Sequence, residues 1–315
     1  MHKRKIDVPE MHMPNQRGGA VKRIGRYLNH LRNGSGVVES TVAAHKRWLT
    51  RWLSFTDERE MEVWEATEDD VLDFIGILKE REYGPDWINH GLAVLRGFYQ
   101  WGIRQGLAAK NPCADVKSLK IIRKVPRVPS VSEIEKIIDA ADVTGPTGIR
   151  NRALMEILYS TGCRVSEIID MDLRDLDVHK GQVVVTGKGG KERVVAVNGN
   201  ARAALLRYLK AARGLLGEEN SPPLFYGIHG TRLSRAIVQD IIRVAARRGG
   251  VYMRVTPHTM RHAFATHLLD AGMDIRYVQE LLGHALLSTT QIYTQVSKGK
   301  LMSEYAKYHP RASAT

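Results

Sequence analysis

The chain of 315 residues is 43% hydrophobic and 26% charged, which excludes wholesale disorder, a collagen-like fibre and a coiled-coil rod. At about 100–200 residues per domain the length predicts two domains, and no stretch approaches the roughly 18–20 uninterrupted apolar residues of a membrane helix. The excess of 47 Lys+Arg over 34 Asp+Glu, net +13, points to a polyanionic partner, of which nucleic acid is the commonest.

The basic start, MHKRKIDVPEMHMPNQRGG, lacks the apolar core of a secretory signal. Two cysteines, Cys113 and Cys163, suit a reducing cytoplasm and make no disulfide framework. The charge is uneven: residues 1–34 carry net +6, residues 35–118 net −4 and residues 119–315 net +11. All five tryptophans (Trp48, Trp52, Trp64, Trp87, Trp101) fall in the acidic middle, so two cores of different composition are expected. Residues 1–34 read as a flexible basic extension.

Residues 35–118 read as a helical domain. Ser40-Thr41 caps a helix carrying Val42, Trp48, Leu49, Trp52 and Leu53 at helical spacing. Thr67 and Asp70 form an acidic capping box ahead of Val71, Phe74, Ile75 and Leu78. A third periodic run, Trp87 to Ile103, follows Gly84-Pro85 and ends at Gly106. If this acidic segment grips a polyanion, Lys46, Arg47, Arg51, Arg96 and Arg104 are its candidate basic face. Asn111-Pro112 stops the helical pattern, and the stretch KSLKIIRKVPRVPS, with five basic residues and no acid, has linker composition. The linker is placed at 119–130, where it either tracks a phosphate backbone or is simply solvated.

From residue 131 to 315 a mainly helical α+β domain is expected. Helices are read at Glu133–Ala141, Arg150–Tyr159, Ala201–Leu215, Arg232–Arg248, Thr259–Ala271 and Asp274–Leu282. GQVVVTGKGGKERVVAVNG reads as a β-hairpin of Val183–Thr186 and Arg193–Val197. Without βαβ alternation, a Rossmann or barrel fold is not expected.

The chemistry concentrates here. Arg164 opens a helix after Thr161-Gly162, where a helix N-terminus favours anions; taken alone, an arginine before Ser-Glu more often makes a surface ion pair. His258 and Arg261 stand i,i+3 on one helix face behind Pro257, able to reach one phosphate. A guanidinium is permanently charged and forks onto two phosphate oxygens. Zinc binding by His258 and His262 is disfavoured, since Thr259 replaces the glutamate of H-E-x-x-H and Arg261 adds a fixed positive charge; His262 and His267 are expected in the core or behind the site. Lys188 lies in a glycine-rich turn with Lys191 as a substitute, and His284 follows Leu-Leu-Gly. Tyr293, one of 11 tyrosines, needs cationic neighbours and a proton acceptor to attack, its phenol pKa being about 10. Tyr305 and Tyr308 are its decoys.

In order, TGCRVSEI, GKGGKER, HTMRH, LGH and TQIYTQV resemble the catalytic domain of the tyrosine recombinases, the phage-integrase family, and within it the Xer recombinases. LRGFYQWGIRQGLAAKNPCADV resembles the end of that family's SAM-like core-binding domain, and KYHPRA its Xer-type C-terminus. The resemblance spans about residues 38–311 and implies an all-α core-binding bundle joined to a mainly helical α+β catalytic domain with a small antiparallel sheet. It implies Arg164, Lys188, His258, Arg261, His284 and Tyr293 as the catalytic set, with neither metal, nucleotide nor other cofactor. Tyr293 would attack the scissile phosphate, the two arginines would hold its oxygens, and Lys188 would protonate the leaving 5′ oxygen. His258 would act as acid or base beside the tyrosine, with His284 assisting. Double-stranded DNA bound by a homotetramer or heterotetramer is the implied partner, strands being exchanged through a Holliday junction. An accessory or activating protein is possible, no membrane is involved, and the implied location is cytoplasmic and nucleoid-associated. The tail Lys300–Tyr308 would dock on a neighbouring subunit, with packing on its own domain the alternative. A type IB topoisomerase-like relaxing enzyme and a non-catalytic DNA-binding accessory factor are the competing readings; the intact catalytic set and the core-binding segment argue against them.

Overall fold

Apolar stripes at helical spacing build the first of two units, Met1–Val125 and Pro126–Thr315, of the computed structural model. Residues 18–34, 37–121, 127–187, 190, 192–218, 222–283 and 298–311 are described. In the first unit the helices are α1 (Gly18–Gly34), α2 (Glu39–Glu58), α3 (Glu68–Glu80) and α4 (Pro85–Arg104). Trp48, Trp52, Phe55, Phe74, Phe98 and Tyr99 form an aromatic core. Trp52 Nε1 donates to the Tyr99 hydroxyl at 2.9 Å, which donates in turn to the Val63 carbonyl. Two glycines of α4 make room for these rings: a Cβ at Gly91 would lie 2.3 Å from Trp48, and one at Gly102 2.4 Å from Trp64.

Three expectations change here. The extension 1–34, expected to be flexible, includes a helix: residues 18–34 form α1, whose Ile24, Tyr27 and Leu28 are buried in the aromatic core. Tyr27 meets Phe98 edge-on at 5.4 Å. Burying three such side chains stabilises by roughly 1.5–3 kcal/mol each, enough to order a strongly basic helix. Ser40-Thr41 is not the cap of α2, which starts at Glu39 behind Val38 without a side-chain cap; Glu39 instead grips Arg32 through two bonds of 2.9 and 2.7 Å. Arg96 is withdrawn from the candidate basic face, because its guanidinium donates to the carbonyls of Cys113 and Val116 and pins the chain after α4. The Thr67–Asp70 box forms as expected.

The second unit begins with α5 (Val131–Asp139), capped reciprocally by Ser130 and Glu133. Helix α6 (Pro146–Thr161) follows, with twelve of its sixteen residues buried, the mark of a helix enclosed on all sides. After α7 (Val165–Asp170) come β1 (Leu176–Asp177), β2 (Gln182–Thr186) and β3 (Glu192–Ala196), an antiparallel sheet in that order. The expected hairpin thus gains a third, two-residue strand, Leu176 pairing with Val183. Helix α8 (Gly199–Tyr208) runs through a π-helical turn, Leu209–Arg213, into α9 (Gly214–Leu216). Then come α10 (Arg235–Arg248), α11 (Pro257–Asp270), α12 (Ile275–Leu282) and α13 (Lys298–Tyr308). Among the described residues no helix is long and apolar enough to cross a membrane.

Helix α13 packs on its own unit in this single chain. Tyr305 is 3% exposed and its hydroxyl donates to the Ser160 carbonyl of α6 at 2.9 Å. Beyond it His309 is buried against Tyr159 and Phe264, and Arg311 pairs with Glu156 at 2.7 Å.

Candidate functional site

The end of α6 organises the site. Gly162 closes the helix in the left-handed conformation, φ +59°, its N–H bonded to the Leu158 carbonyl. A Cβ at this position would lie 2.3 Å from the Phe264 ring of α11, so the left-handed turn and the close approach of α11 both demand glycine. Two residues on, Arg164 is the N-cap of α7. Glu167 reaches back to it, accepting from the Arg164 backbone N–H at 2.8 Å and from its Nη1 at 2.9 Å. The Arg164 side chain stays 43% exposed.

Arg261, on α11, is 7% exposed. Its Nη1 donates to the Gly162 carbonyl at 2.7 Å and its Nη2 to the Leu282 carbonyl at 2.9 Å. Both acceptors lie at helix C-termini, where unpaired carbonyls and the helix dipole favour a cation. Burial, and after it the like charge of Arg164, push the guanidinium down to about 10. Arg261 is bonded to the Gly162 carbonyl, two residues before Arg164, so two like charges share one junction, an arrangement that a bound anion relieves. His258 is exposed in the first turn of α11, one turn before Arg261 on the same face.

Sequence reasoning missed two members. The carboxylate of Glu167, 4% exposed, receives a bidentate grip from Arg193 of β3, both bonds 3.0 Å. Although burial pushes the Glu167 carboxyl up, hydrogen bonds from Arg193 and from the Arg164 N–H hold it below the usual carboxylate range. Arg193 Nη2 also lies 3.8 Å from Cys163 Sγ. The signal was present: Arg193 shares a strand face with Val195, and an inward-facing charge in a strand needs a partner.

Three of the six expected residues, Lys188, His284 and Tyr293, lie outside the described residues, as does Lys191. The described residues beside Lys188 and His284 flank Arg193. Strand β2 ends at Thr186 and β3 starts at Glu192. Gly283, immediately before His284, follows α12 at φ +64°, and a Cβ on it would lie 2.9 Å from the Arg193 guanidinium. Of the other histidines, His262, expected in the core or behind the site, is exposed. His267 is buried, bonded to the Tyr159 hydroxyl at 2.8 Å and the Pro129 carbonyl at 2.9 Å. Among the described residues no group of three or more His, Cys, Asp or Glu is placed to hold a metal ion.

Comparison with known proteins is consistent across the chain. Residues 129–300 match the model of the Phage integrase family, and residues 24–106 that of the Phage integrase, N-terminal SAM-like domain. The chain is 37% identical to Tyrosine recombinase XerD of Oceanobacillus iheyensis over 290 residues, 91% of this chain and 97% of that one. It is 37% identical to Tyrosine recombinase XerC of Herpetosiphon aurantiacus over 282 residues, 89% and 92% of the two chains. Among solved structures, lambda integrase (residues 75–356) bound to DNA superposes with a TM-score of 0.67 at 18% identity, over 87% of this chain and 94% of that one. The XerH site-specific recombinase bound to its difH substrate, a pre-cleavage complex, gives 0.66 at 22%, over 92% and 84%. At these identities the two structures show the fold alone.

Proposed function

We propose, because this chain belongs to the phage integrase family of tyrosine recombinases, that it cuts and rejoins duplex DNA at specific sites through a 3′-phosphotyrosyl intermediate. The observation that carries the reading is the pair of guanidinium groups built on one junction: Arg261 fixed by the carbonyls of Gly162 and Leu282, and Arg164, two residues after Gly162, bonded to Glu167. Two fixed cations whose mutual repulsion a phosphodiester relieves are pre-organised for the charge that grows in phosphoryl transfer.

In this mechanism Tyr293 attacks the scissile phosphate in line. Its oxygen forms the new bond to phosphorus as the bond to the 5′ oxygen breaks, and its proton passes to His258 acting as base. Arg164 and Arg261 hold the non-bridging oxygens. Lys188 gives a proton to the departing 5′ oxygen, and His284 bonds the phosphate. The phosphotyrosine keeps the energy of the broken bond, so a 5′ hydroxyl from a second duplex reverses the step without ATP or a metal. Pairwise exchange of strands then passes through a Holliday junction within a homotetramer or heterotetramer on two DNA sites. Lambda integrase has been solved as a tetramer bound to such a junction, which supports the assembly.

The test is a nicked suicide duplex incubated with the protein in EDTA. A denaturant-stable protein–DNA adduct is expected from the parent chain and none from Tyr293→Phe. An adduct that survives that substitution, or one that requires a divalent cation, overturns the mechanism. Exchange between two cognate duplexes separates a recombinase from an enzyme that only relaxes supercoils.

A further inference from the structure

We infer that Arg193 is a positioning residue that sets the lysine-bearing β2–β3 connection in register with Arg164, through the carboxylate of Glu167. The inference rests on the reading of that connection's lysine as the proton donor to the leaving 5′ oxygen.

Arg193 sits one rung from the end of the β2–β3 ladder. It pairs with Val185, and the last pair, Thr186 with Glu192, is all that separates it from the connection. Its two parallel bonds to Glu167, each 3.0 Å, fix the plane of the guanidinium as well as its distance, which a single contact cannot do. Glu167 spends its two oxygens on both arginines at once: Oε1 accepts from Arg164 Nη1 and Arg193 Nη1, while Oε2 accepts from the Arg164 N–H and Arg193 Nη2. One buried carboxylate thus ties the phosphate-clamping arginine to the strand that leads out of the hairpin. The same guanidinium packs so closely on Gly283 that a Cβ there would lie 2.9 Å away, and it lies beside Cys163 Sγ. Arg193 therefore touches the α6–α7 junction, the sheet and the end of α12.

A general acid loses rate steeply when it is displaced. Misplacement by about 1 Å can cost about 100-fold. Arg193 spends its guanidinium on Glu167 and packs beside Cys163 and Gly283, so its loss is expected to appear in the proton-transfer step and to leave DNA affinity alone. Lysine is no substitute: its ammonium is a point charge and cannot grip both oxygens of Glu167 in one plane.

The experiment compares two nicked suicide substrates, one with the natural 5′-bridging oxygen and one with sulfur at that position. A thiolate leaves without being protonated, so the sulfur substrate removes the need for the acid. Arg193→Lys and Arg193→Gln are made beside Lys188→Ala and the parent, and rates are read at saturating DNA and at a temperature where every chain is folded. On oxygen each Arg193 variant is expected to cleave about 10–100-fold more slowly than the parent. On sulfur the gap should close to within a few-fold, as it should for Lys188→Ala. A variant as fast as the parent on oxygen, or equally slow on both substrates, overturns the inference. A parent chain that forms no adduct on either substrate instead overturns the recombinase reading.

Discussion

Arg261 Nη1 donates to the Gly162 carbonyl at 2.7 Å, joining α11 to the end of the most buried helix of the unit. Arg164 follows two residues later, so one bond relates the positions of both clamp arginines. The backbone at Gly162 is itself held by its left-handed turn and by Phe264. The clamp is therefore only as well placed as this junction.

Gly162→Ala should damage both stability and cleavage. A side chain at φ +59° costs about 1 kcal/mol, and a Cβ 2.3 Å from the Phe264 ring adds overpacking of about 1–3 kcal/mol. A loss of about 2–4 kcal/mol is expected in denaturant titration. Phe264→Leu in the same chain should recover part of the steric share and none of the backbone share. A double variant no more stable than the single one would refute the contact as the cause.

Glu167→Gln should unfold more easily at neutral pH and not at low pH. The carboxyl lies below its ordinary range in the folded chain. Its stabilisation is therefore complete above the unfolded value, about 4.3, and is lost as the pH falls through the lowered folded value. Breaking a buried pair costs about 3–5 kcal/mol, so a difference of about that size is expected at pH 7 and should shrink below about pH 4. A gap between parent and variant that stays constant from pH 7 to pH 3 would contradict the ion-pair account.

Much of this was legible in the chain because it is local. The Thr67–Asp70 box, the aromatic stripes of α2 to α4 and the Pro257 start of α11 are each written within a few residues. Helix α1 was written too, since Ile24, Tyr27, Leu28 and Leu31 recur at helical spacing, but its basic charge drew attention from that period. What stayed hidden depends on distant partners. Nothing local says that Arg96 spends itself on carbonyls 17 and 20 residues on, or that Arg193 closes on Glu167 across 26. Arg164 was visible as a phosphate ligand, whereas the carboxylate that orients it was not singled out.

Neither cysteine should react in the folded chain at pH 8. Burial pushes the Cys163 thiol up to about 11 and the Cys113 thiol up to about 12, and thiolate is the reactive form. Iodoacetamide is expected to modify both only after denaturant is added. Modification of Cys163 in the native protein at the rate of a free thiol would show that the junction beside Arg164 opens.

The tail should loosen as the medium becomes mildly acidic. His309 is buried against Tyr159, Phe264 and Tyr305, and burial lowers it to about 4. An unfolded histidine near 6.5 binds its proton first, so this stabilisation is complete above about 6.5 and is lost as the pH falls towards 4. A displacement of that size corresponds to at most about 3 kcal/mol. His267, also lowered by burial, acts in the same sense, whereas Glu156, raised by burial beside Arg311, acts in the opposite one. The share due to His309 is therefore read as a difference between the parent and His309→Gln. Hydrogen-exchange protection in α13, taken relative to the intrinsic exchange rate at each pH, should fall in the parent as the pH drops from 6.5 to 4.5 and change less in the variant. Equal pH dependence in the two chains would place the anchor of the tail on Tyr305 and Arg311 alone.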